Sequence, residues 1–542
     1  MVRQKQFLVL LLLISPLLLS QTQPAYDILI KGGRVLDGAG NPWFSADVAI
    51  KGDRIVRIGR FEATAARVID AAGLYVAPGF IDMMDQSAGA LMLDGKAQSK
   101  VRQGVTTGIA GEGGTPGAPD QLDKYFDAAL RRGISMNFGT FVSAAQARYA
   151  VLGAAMRDPS PEELERMKSV IEAGMQRGAL GMTTALIYPP GSYAKTPELV
   201  ELAKVAARYG GIYATHMRDE GAGVLDGFRE AIEIGQKAGL PVEIFHLKVA
   251  HRKFWKKTMP RINELVMAAR AQGLEINADQ YPYTAGGTGL EACIPAWAAE
   301  GGPEERNKRL KDPAIRNRIK KEMKKGSPGW WNIVEATGSW KNIVIASMPE
   351  GGEKRYEGMS IAAIARELRK SPEDTAMDLV GSFTNRISTL YFMMSEDDVK
   401  TAMKYPWVSV GSDAPAGSVE TAKGKDHPRA YGNFPRIIAR YVRESKVLAL
   451  ENAIRRMTSQ PAGKLNIAGR GLLKESNFAD IVIFDYEKIE DTATYENPHQ
   501  YPKGIPYVLV NGQLVVDRGE HTGATPGRVV YGPGKQSTAA MN

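Results

Sequence analysis

Residues 211–248 read GIYATHMRDEGAGVLDGFREAIEIGQKAGLPVEIFHLK, and this stretch decides the fold. GIYATHM is a short β-branched and aromatic run typical of a buried strand, and residues 224–238 form a helical pattern that ends at Gly239. PVEIFHLK then begins a second strand. A strand, a helix and a strand with short connections predict a parallel βαβ unit. Because the same rhythm continues on both sides, the middle of the chain predicts an α/β fold of the (β/α)8 barrel type.

Both ends of the chain carry short strand patterns separated by turn residues, in contrast to the alternating middle. KGG and GAGNP are turn signals near the start, and VNGQ is a hairpin signal near the end. We therefore expect one small β-sandwich built from residues 25–77 and 466–542, beside a barrel of residues 78–465. Between about 303 and 349 the rhythm breaks, which predicts an inserted subdomain or lid. The predicted sandwich strands are residues 27–35, 47–58, 67–77, 479–485, 507–510, 513–516 and 528–531.

The first 24 residues have the pattern of a bacterial secretory signal peptide. Arg3 and Lys5 precede an apolar run at residues 7–19 that is too short to span a membrane comfortably. An uncleaved anchor lying in the membrane interface is the alternative interpretation. Cys293 is the single cysteine, so no intrachain disulfide can form. These features together predict an exported protein, periplasmic or secreted.

The charge of the chain is basic, but its distribution does not favour nucleic acid as a partner. The 542 residues carry a net charge of +9, and residues 304–325 hold ten Lys or Arg against four Asp or Glu. Neither interleaved aromatic residues nor a nucleic-acid-reading motif accompanies this run, so a solvated helical face on the insertion explains it better. No second long apolar stretch follows the N-terminal one, so we expect no stable membrane span. The pattern indicates no particular oligomeric state.

Three polar residues stand where predicted strands end. His216 and His246 follow successive strands at a separation of 30 residues, and Asp413 in WVSVGSDAP ends a later strand. In a barrel the carboxyl ends of the strands share the face on which active sites form. Neutral imidazole is a strong ligand for Zn²⁺, so the pattern predicts a metal-centred hydrolase site. Asp413 is either a ligand or the base for a metal-bound water, with a turn cap as the structural alternative.

Nine motifs distributed along the chain carry a family resemblance. They are YDILIKGGRVLDG (26–38), VAPGFID (76–82), QGVTT (103–107), YATHMRDEG (213–221), DQYPYTAGGT (279–288), GSDAP (411–415), HPRAYGNFPR (427–436), IRRMTSQPA (454–462) and FADIVIFD (478–485). Together they resemble the amidohydrolase superfamily, specifically the N-acyl-D-amino-acid deacylase (D-aminoacylase) family, over nearly all of residues 26–532. The resemblance implies a distorted (β/α)8 TIM barrel with a small β-sandwich formed by both termini. It also implies zinc-assisted hydrolysis of an N-acyl amide to a carboxylate and a free D-amino acid.

The resemblance implies a metal site, and the first of two departures from the family lies in its second metal position. His216 and His246 match the family's zinc ligands at the strand ends, and Asp413 matches its general acid and base or second-site ligand. The family has His-x-His after the first barrel strand, but Met84 and Gln86 stand at those positions. A thioether and an amide are poor ligands for a hard or borderline cation. The second metal position is therefore predicted to be lost or very weak.

A second departure concerns the remaining zinc ligand. The family commonly has a cysteine in GNCG after the next strand, whereas this chain reads GIAGEGGTP, with Gly113 at the cysteine position and Glu112 beside it. A carboxylate binds Zn²⁺ at about 2.0–2.2 Å, so Glu112 can replace the thiolate if the loop shifts by one residue. We predict one Zn²⁺ ion bound by Glu112, His216 and His246. The alternative for Glu112 is a turn cap that does not touch the metal.

The resemblance further implies a set of residues that bind the substrate. Lys248, Tyr283 and Arg429 match the residues that hold the substrate carboxylate, and Tyr188 in IYPP is a weaker match. A cation, a guanidinium and a phenol suit this role because a free α-carboxylate requires charge-assisted, preferably bidentate, partners. The structural alternatives are a surface position for Lys248, an ion pair for Arg429 and core packing for Tyr283.

We therefore expect a hydrolase that acts on carbon–nitrogen bonds other than peptide bonds, with a small N-acyl-D-amino acid as its substrate. A zinc-activated water would attack the amide, and Asp413 would be its general base. Two alternatives remain: an amidohydrolase acting on dipeptides or cyclic amides, and a metal-free relative that only binds such ligands. The missing ligands at Met84, Gln86 and Gly113 motivate the metal-free alternative, and the intact histidine pair argues for catalysis.

Overall fold

The centre of the structure is a barrel of parallel strands, each followed by helical segments. The computed structural model describes residues 25–327 and 329–535, so the predicted signal peptide lies outside the described residues. Within those ranges no helix combines the length and the apolar character needed to cross a membrane. In chain order the barrel strands are β1 (Phe80–Asp82), β2 (Val105–Ala110), β3 (Asn137–Thr140), β4 (Gly181–Ala185), β5 (Ile212–His216), β6 (Val242–Ile244), β7 (Ile276–Gln280) and β8 (Val408–Val410).

Helices surround this barrel and bury one apolar face each against it. Val224–Ala238, for example, directs Phe228, Ala231 and Ile234 inward and ends at Gly239, whose positive φ of 72° a side chain would strain. The surrounding helices are Ala88–Leu93, Gln98–Val101, Leu122–Arg132, Ala144–Leu152, Pro161–Gln176, Thr196–Arg208, Val224–Ala238, Thr258–Ala271, Glu396–Lys404, Arg429–Arg436, Ile437–Glu444, Leu450–Met457 and Ser459–Lys464.

The barrel is distorted because its strands form two separate parallel sheets. Strands β1, β2 and β3 pair in one sheet, and β4 to β8 pair in the other together with the two-residue strand Val142–Ser143. The sheets meet where the Leu180 N–H donates to the Thr140 carbonyl at 2.9 Å, and where Asp85 forms a parallel bridge with Ala414. These contacts join β3 to β4 and β8 to β1, which confirms the predicted distorted (β/α)8 architecture.

Strands from both ends of the chain form a second, β-rich domain. Ile481–Phe484 pairs antiparallel with Tyr75–Pro78, so the C-terminal strands extend the sheet that the N-terminal strands begin. Residues 528–531, expected in this sheet, instead contact β3, because the Phe138 N–H donates to the Arg528 carbonyl at 2.9 Å. The nine strands that the described residues place in the sheet are Tyr26–Val35, Phe44–Lys51, Arg54–Gly59, Ala65–Asp70, Tyr75–Pro78, Ile481–Phe484, Tyr507–Val510, Gln513–Asp517 and Glu520–His521.

An inserted unit between β7 and β8 has its own apolar core. A three-stranded antiparallel sheet of Gly286–Gly289, Ser388–Tyr391 and Ile343–Ser347 carries it. The basic helix Pro313–Lys325 buries Ile319 and Met323 and turns its charges outward. Trp331 packs into the same core. The helices of the unit are Pro303–Arg309, Pro313–Lys325, Ile333–Thr337, Ile361–Leu368 and Pro372–Gly381.

A buried lysine ties β1 to the loop after β8 and so helps to close the barrel. Lys100 Nζ lies 2.7 Å from Asp82 Oδ2 and 2.8 Å from Asp85 Oδ1, and all three side chains are fully buried. The same ammonium donates to Ser412 Oγ and the Ala414 carbonyl at 2.7 Å. Because buried charges are stable only when paired and hydrogen-bonded, each group of this cluster depends on the others.

Replacing Lys100 with methionine should therefore destabilise the barrel strongly. The substitution keeps the apolar stem but leaves two buried carboxylates without their cation, and removing one partner of a buried ion pair costs about 3–5 kcal/mol. Urea unfolding followed by circular dichroism measures the loss. The exposed Lys96, just before the helix that carries Lys100, provides the control, Lys96→Met, whose stability should be close to wild type. Equal stability of the two variants would contradict the role given to Lys100.

Candidate metal centre

Three side chains converge at the carboxyl end of the barrel. Glu112 follows β2, His216 is the last residue of β5 and His246 follows β6. Glu112 Oε1 lies 2.9 Å from His216 Nδ1 and 3.9 Å from His246 Nε2, and the two ring nitrogens are 3.0 Å apart. Bonds of about 2.0–2.1 Å at tetrahedral angles separate zinc ligands by roughly 3.3 Å. The observed spacing, in largely buried side chains, therefore allows the three ligand atoms to bind a metal ion together.

Two of the site residues have left-handed backbone conformations. His246 has a φ of 39° and Asp413 a φ of 49°, which is uncommon for residues other than glycine. The His246 N–H donates to Asp279 Oδ1 at 2.9 Å, and the Asp413 N–H donates to the Met84 carbonyl at 2.8 Å. These bonds to neighbouring strands hold a conformation that costs energy locally, so the barrel itself fixes where the two side chains point.

Glu220 is a functional residue that the sequence analysis did not single out. Its Oε1 lies 2.9 Å from His246 Nδ1, and its Oε2 lies 3.6 Å from His216 Nε2. Both contacts use the ring nitrogen that faces away from the convergence point. A carboxylate in this position orients metal-binding imidazoles and makes them more basic. The signal that could have revealed Glu220 is its place four residues after His216 within YATHMRDEG.

The charges of the cluster are arranged to receive a cation. Burial disfavours the charged form of Glu112, but hydrogen bonds from His216 and His246 outweigh burial and hold the pKa of this carboxyl well below its usual range. Burial and the Lys248 charge act to lower the pKa of His246, yet the carboxylates of Glu220 and Glu112 raise that pKa to about 9. Metal binding requires deprotonated ligands, so a divalent ion that binds this buried cluster would displace the proton between its carboxylate and imidazole groups.

Asp413 faces the same point, with a cation and an amide donor beside it. Arg429 Nη1 lies 2.8 Å from Asp413 Oδ2 in an ion pair without hydrogen-bonding geometry, and Gln86 Nε2 is 3.4 Å from Oδ1. The Arg429 guanidinium is buried over the Tyr281 ring, 4.4 Å from its centroid. Its Nε has no hydrogen-bond partner in the described part of the chain. This cation therefore keeps unused donors beside the predicted base.

The remaining residues predicted to bind substrate occupy different positions around a cavity of about 700 Å³. Tyr188 lines the cavity, with its ring centroid 5.4 Å from that of His216 and its hydroxyl 2.7 Å from Thr288 Oγ1. Lys248 also lines it, but its Nζ is held by Glu220 Oε1 at 2.7 Å.

Tyr283 is placed apart from the cavity. Among the described residues that line the cavity, Tyr281 takes the position expected of Tyr283. Tyr283 is instead buried, with its hydroxyl 3.4 Å from the Pro428 carbonyl oxygen. Tyr281 and Tyr283 follow β7 in the turn Tyr-Pro-Tyr, and only the first of the two rings stacks on Arg429.

The two positions where the family has histidines are filled without a ligand pair. Met84 is buried among apolar residues of the barrel interior, including Ile109, Phe141 and Ile212. Gln86 reaches the rim of the site, where its Nε2 donates to Glu112 Oε2 at 2.8 Å.

Known proteins resemble the chain along almost its whole length. The profile of the amidohydrolase family matches residues 358–516. A D-aminoacylase of Alcaligenes xylosoxydans xylosoxydans is 32% identical over 536 residues, covering 94% of this chain and 98% of that protein. The solved structure of an N-acyl-D-glutamate deacylase from Bordetella bronchiseptica, complexed with zinc and a phosphonate inhibitor, has a TM-score of 0.77 at 29% identity, covering 93% and 99% of the two chains. A second solved structure is a D-aminoacylase, described as having a binuclear metal center with one-metal activation and second-metal attenuation. It has a TM-score of 0.79 at 28% identity, covering 93% of this chain and 100% of that chain.

The barrel, its β-rich companion and the ligands converging at the strand ends define an amidohydrolase. Within that class, the identity shared along nearly the full length places the chain more narrowly. It belongs to the N-acyl-D-amino-acid deacylase (D-aminoacylase) family and is a hydrolase of carbon–nitrogen bonds other than peptide bonds. This confirms the family predicted from the nine motifs.

Substituting Glu220 with glutamine should weaken metal binding without removing any ligand. The neutral amide no longer supports the two imidazoles electrostatically, and loss of such an outer partner lowers metal affinity by about 10- to 100-fold. Competition between the metal-free protein and a fluorescent zinc chelator measures the change. Glu233→Gln, on the exposed face of Val224–Ala238, is the matched control. If both variants bound zinc as tightly as wild type, Glu220 would not support the histidines.

Proposed function

We propose that this protein hydrolyses N-acyl-D-amino acids with a single zinc ion. The observation that carries the proposal is the convergence of Glu112, His216 and His246 within ligand distance of one another, beside the pair formed by Asp413 and Arg429. The donors comprise one carboxylate and two imidazoles, which is a set that zinc accepts. The relatives named D-aminoacylase and N-acyl-D-glutamate deacylase support the substrate class.

In the proposed reaction, zinc would activate the amide and the water, and Asp413 would transfer the proton. When bound, zinc would polarise the amide carbonyl and make a water molecule acidic near pH 7. Asp413 would accept the proton of the attacking water and deliver it to the nitrogen of the leaving amine. The amide C–N bond then breaks, and the D-amino acid leaves with the transferred proton on its amine. The acyl carbon keeps the water oxygen as a carboxylic acid, which ionises to the carboxylate by releasing the second water proton to solvent.

Arg429 supports recognition of the free α-carboxylate. Its buried guanidinium offers planar donors at the cavity wall, and such a group binds a carboxylate in a bidentate manner. We propose that the substrate carboxylate engages Arg429 beside Tyr281. Tyr188 would contact the acyl or side-chain portion from the opposite side, next to His216. Lys248 would act through Glu220, to which it is already bound, and Tyr283 would support the wall behind His427.

The number of ions follows from the donors that are present. The related D-aminoacylase is described as activated by one metal and attenuated by a second. In this chain Met84 and Gln86 replace the histidine pair of the family, so we propose that only the activating position persists. We further propose that the protein is exported, since residues 1–24 have the pattern of a secretory signal.

Asp413→Asn tests the proposed function directly. The amide cannot accept the proton, so kcat for N-acetyl-D-alanine should fall by about 10²- to 10⁴-fold, the contribution usual for a general acid or base. Chromatographic measurement of released D-alanine follows the reaction, with N-acetyl-L-alanine as the stereochemical comparison. Asp397→Asn, at an exposed position on Glu396–Lys404, is the control. A wild-type protein that binds the ligand yet never turns it over would instead be the metal-free binding relative.

Arg429→Gln tests recognition of the α-carboxylate. Hydrogen bonds to charged groups contribute about 1.5–3 kcal/mol, so kcat/KM for N-acetyl-D-alanine should fall roughly 10- to 100-fold further than kcat/KM for its neutral carboxamide. Because both substrates experience the same change near Asp413, their ratio isolates the contact with the carboxylate. An unchanged ratio would assign Arg429 to positioning Asp413 alone.

A further inference from the structure

The carboxamide of Gln86 occupies the space between two acidic groups of the site. We propose that it takes the place of a second cation, as a positioning residue that holds Glu112 and Asp413 in their working orientations. This inference rests on the proposed one-zinc function and deepens it. It assigns a role to a residue that stands where the family has a metal-binding histidine.

The geometry assigns one amide nitrogen to both carboxylates. Gln86 Nε2 lies 2.8 Å from Glu112 Oε2 and 3.4 Å from Asp413 Oδ1. An NH₂ group has two hydrogens, so it can donate to two acceptors at once. Because Oε2 of Glu112 is engaged in this way, Oε1 is left to face the histidines at 2.9 Å from His216 Nδ1. The amide therefore sets the rotation that presents Glu112 as a single-oxygen ligand.

Neighbouring residues leave room for the carboxamide. Gly113 has no side chain, and a Cβ built there would lie 3.4 Å from Gln86 Oε1, so any atoms beyond Cβ would compete for the carboxamide's space. Met84 fills the apolar interior below, where its Cβ would be 2.9 Å from a Cβ at Gly411. Thioether and amide groups bind zinc poorly, so neither residue recruits an ion between the acids. A neutral donor there leaves Asp413 available for proton transfer.

Because the Gln86 amide occupies the place of a second cation, the site holds one ion. A second cation between Glu112 and Asp413 would have to displace the Gln86 amide from both oxygens. Conversely, loss of the amide would leave two carboxylates facing each other and free Glu112 to rotate away from His216. The role of Gln86 is thus visible in how tightly and in what geometry the first ion binds.

Cobalt titration of the metal-free protein tests this role. In Gln86→Ala the Co²⁺ dissociation constant should rise about 10- to 100-fold, because hydrogen-bonded partners of a ligand contribute that much to metal affinity. The visible absorption bands of the bound Co²⁺ should also shift, since the orientation of Glu112 changes. Gln236→Ala, at an exposed position on Val224–Ala238, is the matched control and should leave both readouts unchanged. Unchanged affinity and spectrum in Gln86→Ala would overturn the inference.

A second variant and the wild type separate this inference from the function on which it rests. The double variant Met84→His with Gln86→His should bind two Co²⁺ ions per chain where wild type binds one, as measured by metal analysis after gel filtration. Should the double variant fail to fold, Gln86→Ala and its control still decide the question. A wild-type chain without any bound metal would overturn the proposed function. A wild type with one ion but an unaltered Gln86→Ala variant would overturn only the role of the carboxamide.

Discussion

The site depends on holding three ligand atoms close together in one small space. A carboxylate oxygen of Glu112 and ring nitrogens of His216 and His246 lie 2.9 to 3.9 Å apart in a largely buried position. Lone pairs of ligand atoms at such distances are stable only around a proton or a metal ion. The positions of the barrel strands therefore require a cation at this point. The close pairing of β5 with β6, Thr215 opposite Ile244, places the two histidine-bearing strand ends side by side.

Every charge added to this face is balanced by another. Glu220 supports both imidazoles and is itself neutralised by Lys248, while Arg429 balances Asp413. Buried charges without partners would be costly, so these pairs let the site carry several ionised groups at the bottom of a cavity. The pairing also separates two kinds of carboxylate: Glu112 and Glu220 contact the histidines, whereas Asp413 contacts an arginine.

Sequence patterns predicted the barrel and the meeting of its strand-end histidines because strand ends are readable one element at a time. His216, His246 and Asp413 each follow a short apolar run, and parallel strands bring such positions to one face. Glu220 was not predicted because it lies in a loop, and its contact with His246 depends on the position of the next strand. Gly286–Gly289 has a single β-branched residue, Thr288, among three glycines, so its strand structure depends on pairing with Ser388–Tyr391, about a hundred residues away. The sequence could not show which tyrosine of Tyr-Pro-Tyr lines the cavity, because this depends on the position of Arg429, which stacks on Tyr281.

By itself the sequence determined the class of the protein, since βα repeats, strand-end histidines and nine spaced motifs are local properties of the chain. It also determined that the family's histidine pair is absent, at Met84 and Gln86. Only the tertiary structure decided that Glu112 faces His216, and that Gln86 contacts both acids. The physical reason is that hydrogen bonds over a few ångströms depend on side-chain rotation and on the relative placement of distant strands, neither of which is encoded in spacing along the chain.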